Sequence, residues 1–210
     1  MEDYGTGRLE AFSDGVFAVA ITLLVLDIRP PTEVETSSGL WHALGDLWPN
    51  YAAYAVSFLI IGIVWVNHHA VMTLMARADR GLAFLNLLLL MTVALIPFAT
   101  ALLSEYLTHG GPSHVAAAAY SAVITLMGAA FGALWIYASR EGGLLVPGFP
   151  RAELPRLTRR FVIGTPVYAL TIGIAFLSAV ACLVVHALLA MYYALSRRGG
   201  GMAAPETAVD

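Results

Sequence analysis

Two clusters of polar and ionisable side chains interrupt an otherwise apolar chain. Arg8, Ser13 and Asp14 stand at the mouth of the first apolar stretch, within Arg8-Leu9-Glu10-Ala11-Phe12-Ser13-Asp14. Trp65, His68 and His69 fall inside the second. A carboxylate and a histidine away from water are the raw material of a proton relay, because imidazole titrates near neutrality. With a further ligand they could hold a metal ion. The spacing favours a plainer role. On a helix, Trp65 shares a face with His68 and His69, at i+3 and i+4. Adjacent histidines point about 100° apart, so they make a poor ligand pair, and a metal site would need Asp14 as the third ligand. We therefore expect hydrogen bonding, with a histidine and the indole satisfying Ser13 and Asp14 from the neighbouring helix. Two rivals use the same residues: a proton-coupled transporter on Asp14, His68 and His69, and a membrane-embedded metal enzyme. The rest of the chain offers no Ser/His/Asp arrangement, no phosphate loop and no paired carboxylates on one helix. No catalytic residue, resident metal or cofactor is expected.

The solvent for these groups follows from composition. The 210 residues are 59% hydrophobic and 12% charged, with a mean hydropathy of +0.77. A soluble domain carries roughly 25% charged residues, so this chain cannot solvate an ordinary surface and a bilayer is its natural medium. The formal net charge of -3 comes with no basic patch bearing interleaved aromatics, which argues against nucleic acid. Cys182 is the single cysteine, so an intrachain disulfide and a cysteine-based metal site are both excluded. All eleven basic residues are arginine, which with the abundance of Ala and Gly hints at a GC-rich bacterial genome. No cleavable signal is evident.

A span needs roughly 20 apolar residues. The pattern predicts an all-α membrane protein of six spans, near 9–28, 49–74, 82–103, 114–138, 159–177 and 179–196, forming one domain over 1–198. The last two come from the 36 residues between Arg160 and Arg197, too long for one helix and enough for two short ones turning near Leu177-Ser178. A disordered tail is expected over 199–210. The arginines test this division. Ten of the eleven fall before span one, after span six, or in the loops after spans two and four; Arg29 is the exception. By the positive-inside rule both termini are then cytoplasmic. Gly128 and Gly132 should let span four approach a neighbour closely. Pro97 and Pro166 should bend spans three and five. Asn86 reads as an interhelical hydrogen bond and His186 as core packing.

Span one has two faces. At 100° per residue, Phe12, Gly15, Val16, Val19, Thr22, Leu23 and Leu26 fall within about 60° of Val19, and Ser13 and Asp14 lie on the other side. If the polar pair looks into the protein, the apolar stripe faces lipid or a symmetry axis.

Arg8 to Asp14 also resembles the RxxxFSD signature that opens the first helix in the lysosomal and prokaryotic six-helix potassium channel family, and Trp65, His68 and His69 are similar to its partner cluster on the second. The resemblance covers essentially the whole chain. It implies a channel fold unlike that of ordinary potassium channels, without a pore-loop filter. It further implies a homotetramer in the bacterial inner membrane, with four first helices around a central pore. Val19, Leu23 and Leu26 would line that pore as a hydrophobic gate, with Val19 where family constrictions usually carry Ile or Leu. Thr22 would stand at the hydroxyl position that contributes to potassium preference. Arg8, Phe12, Ser13, Asp14, Trp65, His68 and His69 would form the motif and its structural network. The implied activity is a potassium-permeable leak of moderate selectivity, with potassium as the permeant ion and with the bilayer and other copies of the chain as partners.

Overall fold

The computed structural model describes residues 6–32, 34–140 and 143–195. The proposed tail and Arg197 and Arg198 lie outside them. Among the described residues the chain is helical apart from its turns: α1 (Thr6–Leu23), α2 (Ser37–Asp46), α3 (Trp48–Met72), α4 (Arg80–Ala94), α5 (Ile96–Tyr106), α6 (Gly111–Ala138), α7 (Leu154–Val162), α8 (Gly164–Ala175) and α9 (Ala179–Leu195). A 3-10 turn carries α1 on to Asp27.

Four stretches are long and apolar enough to cross a membrane: Thr6–Asp27, Trp48–Met72, Arg80–Tyr106 and Gly111–Ala138. The third is α4 and α5 together, broken at Leu95. Pro97 explains the break, since it lacks the N–H that a continuous helix would bond and its ring crowds the preceding turn. Two shorter apolar helices, α8 and α9, follow, joined through Phe176–Ser178. At 17 residues α9 rises about 25 Å, less than the ~30 Å hydrocarbon core. Leu154–Ala175 is divided at Ile163, three residues before Pro166, into amphipathic α7 and apolar α8.

Helices α1, α3, α4, α5 and α6 pack as a bundle, with α8 and α9 laid against α6 and α3. Trp135, Tyr120, Ile124 and Phe17 are among the large side chains buried in its core. One end of the bundle is stitched by backbone. Ala76 N–H bonds to the Leu144 carbonyl at 2.8 Å and Val146 N–H to the Leu74 carbonyl at 2.9 Å, joining the α3–α4 turn to the α6–α7 link. Asp79 caps α4 through the Leu82 N–H at 2.8 Å and accepts from the Tyr137 hydroxyl at 2.9 Å. The N-terminal half of α1 meets this end through Glu10 and His69. Arg8, Arg77, Arg80, Arg140, Arg151, Arg156, Arg159 and Arg160 therefore share one end of the bundle. Arg29 is at the other, where Asn50 reaches the Asp27 carbonyl and the Ser104 hydroxyl at 3.3 Å each.

The small residues of α6 act unequally. A Cβ on Gly128 would stand 3.2 Å from the Thr165 hydroxyl and 3.6 Å from the Thr165 Cα on α8. One on Gly132 would make an ordinary 3.6 Å contact with Val162. Gly128→Leu should wedge α6 from α8 and destabilise by about 1–3 kcal/mol, while Gly132→Ala should leave stability near that of the parent. Thermal melting of both variants in detergent checks the contrast; equal melting points would show that helix approach does not depend on Gly128.

Candidate functional site

The inward side of α1 runs Ser13, Phe17, Ala20 and Leu24, all buried, at spacings of four, three and four. The opposite side is left open. Val19 is 57% exposed, Leu23 43% and Leu26 67%, with Phe12, Gly15 and Thr22 exposed beside them. Ala11, Phe12, Gly15, Val16, Val19, Ala20 and Leu23 border a shallow groove of about 480 Å³, closed on one side by Ala94 of α4. About four turns of greasy helix surface thus remain without cover in one copy of the chain.

Glu10, Ser13 and Asp14 of α1 turn away from this stripe, and each finds a partner. Trp65 Nε1–H donates to Asp14 Oδ1 at 2.8 Å. The Ser13 hydroxyl donates to the Leu9 carbonyl at 2.8 Å, so its oxygen is free to accept. It accepts from Asn86 Nδ2 at 2.9 Å. That leaves Asn86 Oδ1 facing His68 Nε2 at 2.8 Å, and an amide oxygen only accepts, so His68 carries its proton on Nε2. Nδ1 of His68 is then a buried bare nitrogen, and among the described residues it has no hydrogen-bond partner. The ring packs 5.5 Å from that of Phe17. At the arginine-bearing end, His69 Nδ1 meets Glu10 Oε1 at 2.6 Å.

The indole bond to Asp14 is the one expected. The histidine contact differs: His68 does not touch Ser13 but reaches it through Asn86 on α4. The reason is packing. Ser13 is buried where α1 meets both α3 and α4, and the Asn86 side chain fills the gap between the hydroxyl and the imidazole. Asn86 thus joins three helices, a role its isolation in an apolar stretch suggested only as a single bond. Glu10 is a second partner that sequence reasoning passed over, although it lies within the motif, four residues before Asp14 on one helical face. Arg8 is exposed, and among the described residues it makes no hydrogen bond or ion pair. Asp14, His68 and His69 point to three different partners. Among the described residues no three His, Cys, Asp or Glu side chains converge where a metal ion could sit.

Thr22 is placed on the open face. Its hydroxyl bonds back to the Ala18 carbonyl at 3.0 Å and the Val19 carbonyl at 2.9 Å. The proton is therefore tied to the helix and the lone pairs point away from it.

A bundle of apolar spans with a bare apolar stripe on its first helix and a polar network behind it is a membrane-embedded protein. Comparison with known proteins makes this specific. Residues 8–97 match the family model described as endosomal/lysosomal potassium channel TMEM175. A Streptomyces collinus protein named as a potassium channel is 56% identical over 195 residues, covering 91% of this chain and 93% of that one. The crystal structure of a lysosomal potassium-selective channel TMEM175 homolog from Chamaesiphon minutus superposes with a TM-score of 0.82 at 40% identity, covering 92% of this chain and 98% of that one. A Gallus gallus relative, named an endosomal/lysosomal proton channel, is 38% identical over 136 residues, 61% of this chain and 27% of its own length. The chain belongs to the TMEM175 potassium channel family. Its relatives are ion channels, and it is not an enzyme.

Removing the hub of the network tests its weight. Asn86→Ala leaves the His68 Nε2–H and the Ser13 oxygen without a partner, at about 1–3 kcal/mol for each buried group. Leu87→Ala, at an exposed neighbour, should cost far less. Melting of the two variants in detergent distinguishes them; equal losses would show that the triad does not hold α1 in place.

Proposed function

We propose that this chain is a potassium-permeable channel whose pore lies between four copies, lined by α1 and closed by a hydrophobic gate at Val19, Leu23 and Leu26. The observation that carries the reading is the division of α1. Glu10, Ser13 and Asp14 are satisfied inside the subunit, and the stripe that remains uncovered bears large apolar side chains and one hydroxyl. A ring of four such side chains closes a narrow neck by dewetting, because an ion loses too much hydration to enter it. A modest outward shift of the helices opens it. The groove beside Ala94 gives a neighbouring α1 a place to seat. The potassium-channel names of the Streptomyces and Chamaesiphon relatives support the permeant ion.

Thr22 is the selectivity residue in this reading. Four hydroxyls whose protons are bonded back to their own helices present only oxygen lone pairs to the axis, and these replace part of an ion's water shell. With one flexible ring in place of a carbonyl cage, preference for potassium over sodium is moderate. Six spans cross the membrane, α8 and then α9 supplying the last two. The arginine-bearing end and both termini face the cytoplasm of a bacterial plasma membrane.

Flux from reconstituted vesicles tests this directly. Val19→Ala and Leu23→Ala should raise potassium flux several-fold, and Thr22→Val should bring the potassium-to-sodium ratio toward one. His68→Ala should lower melting temperature and yield while surviving protein still conducts. A proton-coupled transporter would behave in reverse, indifferent to Val19 and Leu23 and silenced at His68. Potassium flux unaffected by the changes on α1 would defeat the pore assignment, and a mass in detergent other than four subunits would defeat the stoichiometry.

A further inference from the structure

At the arginine-bearing end, away from α1, α7 lies across the foot of α6 and α8. Its sequence Leu154-Pro155-Arg156-Leu157-Thr158-Arg159-Arg160-Phe161-Val162 is sharply two-sided. Leu154, Leu157 and Phe161 turn toward the protein. The Phe161 ring stands 5.0 Å from that of Trp135 and 5.6 Å from that of Phe131, and Trp135 Nε1–H donates to the Thr158 hydroxyl at 2.9 Å. Arg156, Arg159 and Arg160 occupy the other side. A short helix of this pattern, beside hydrophobic spans, lies in the plane of the membrane interface.

A groove of about 660 Å³ opens along its edge, walled by Leu154, Pro155, Val162, Ile163 and Pro166, with Ser139, Thr158 and Arg159 supplying its polar groups. The neighbouring arginines are engaged elsewhere. Arg160 lies over the Phe161 ring, Arg140 over Tyr137, and Arg156 stands 3.6 Å from Glu153. Arg159 lines the groove, and among the described residues it makes no hydrogen bond or ion pair. On α7 it sits about 40–60° from Pro155 and Val162, so a guanidinium borders a wall of apolar side chains. The occupant must be apolar along most of its length and anionic at one end.

We propose that this groove holds an anionic phospholipid of the adjacent leaflet, one acyl chain along Val162, Ile163 and Pro166 and the phosphate on Arg159, with the Ser139 hydroxyl as a second donor. Arginine suits a phosphate because its planar fork offers paired donors. Arg156 and Arg160 add attraction to the anionic surface. The bound lipid pins α7, and through Thr158 and Phe161 it steadies the foot of α6. The proposal rests on membrane embedding and not on the pore, so it stands or falls apart from the channel reading.

Native mass spectrometry of the full-length protein, titrated with phosphatidylglycerol or phosphatidylcholine, tests it. The parent should retain phosphatidylglycerol in preference to phosphatidylcholine. Arg159→Gln should weaken phosphatidylglycerol binding about five-fold, the factor corresponding to ~1 kcal/mol per basic residue at an anionic surface. Ile163→Trp, which fills the groove without altering charge, should weaken both lipids. Arg77→Gln, at the same end but outside the groove, should change neither. Both groove variants sit at exposed positions, and size exclusion verifies that they remain folded. Parent-like binding by Arg159→Gln would overturn the proposal. An equal loss in Arg77→Gln would do so too, since it would mean diffuse surface charge, as would displacement of the lipid by equimolar inorganic phosphate, which would mean an ion site without an acyl chain.

Discussion

Hydrocarbon offers no hydrogen bonds, and the first helix of this protein is organised around that fact. A serine and an aspartate near its start must each find a partner in protein, because water is not at hand. Once Ser13 is bound to Asn86 and Asp14 to Trp65, the rotation of α1 about its axis is decided. Phe17, Ala20 and Leu24 follow Ser13 into the core, and Val19, Leu23 and Leu26 are turned out. The exposed stripe is thus a consequence of the buried network. No separate interaction is needed to display it.

The network also explains why three helices are involved where two would satisfy the same atoms. Trp65 and His68 are on α3 and Asn86 is on α4. An amide can donate to a hydroxyl from its nitrogen while accepting from an imidazole on its oxygen. Here that property locks α4 to the same register as α1 and α3. Burying it costs little because every atom but one is paired. The exception, Nδ1 of His68, faces the core without a donor. At the opposite end of the bundle, weaker neutral contacts suffice: Ser57 with Thr100 at 2.7 Å and with Tyr120 at 3.0 Å hold α3, α5 and α6 together. Among the four long spans the first is the least buried, and it is the one whose carboxylates, Glu10 and Asp14, take part in interhelical bonds.

The arginine-bearing end is held differently. There the backbone pairs turn to turn, Asp79 caps α4 while receiving Tyr137, and guanidinium groups lie over aromatic rings. Interfacial side chains of this kind tolerate water on one side and lipid on the other. They anchor the depth of the bundle, and the hydroxyl and amide bonds inside it fix how the helices are turned.

Much of this was legible in the order of residues alone. Long apolar runs between arginines announce membrane helices, because the medium filters composition so strongly. The 3.6-residue period separates Ser13 and Asp14 from Val19 and Leu23 without any coordinates. Pro97 marks its own helix break by lacking an N–H. What the chain could not announce by itself was which distant groups would meet. Asn86 looked like one polar residue in one helix, and Glu10 like part of a signature; their pairing with His68 and His69 depends on how three helices are turned and offset against each other. Likewise the division of Leu154–Ala175 into an interfacial α7 and an apolar α8, and the groove between them and α6, arise only when Phe161 stacks on Trp135 and Thr158 takes the indole proton. Local sequence decides periodicity, solvent preference and where a helix must stop, since these depend on neighbours a few residues away. Partnership across the bundle is decided by tertiary structure, since a hydrogen bond needs two groups within about 3 Å and separation along the chain says nothing of that.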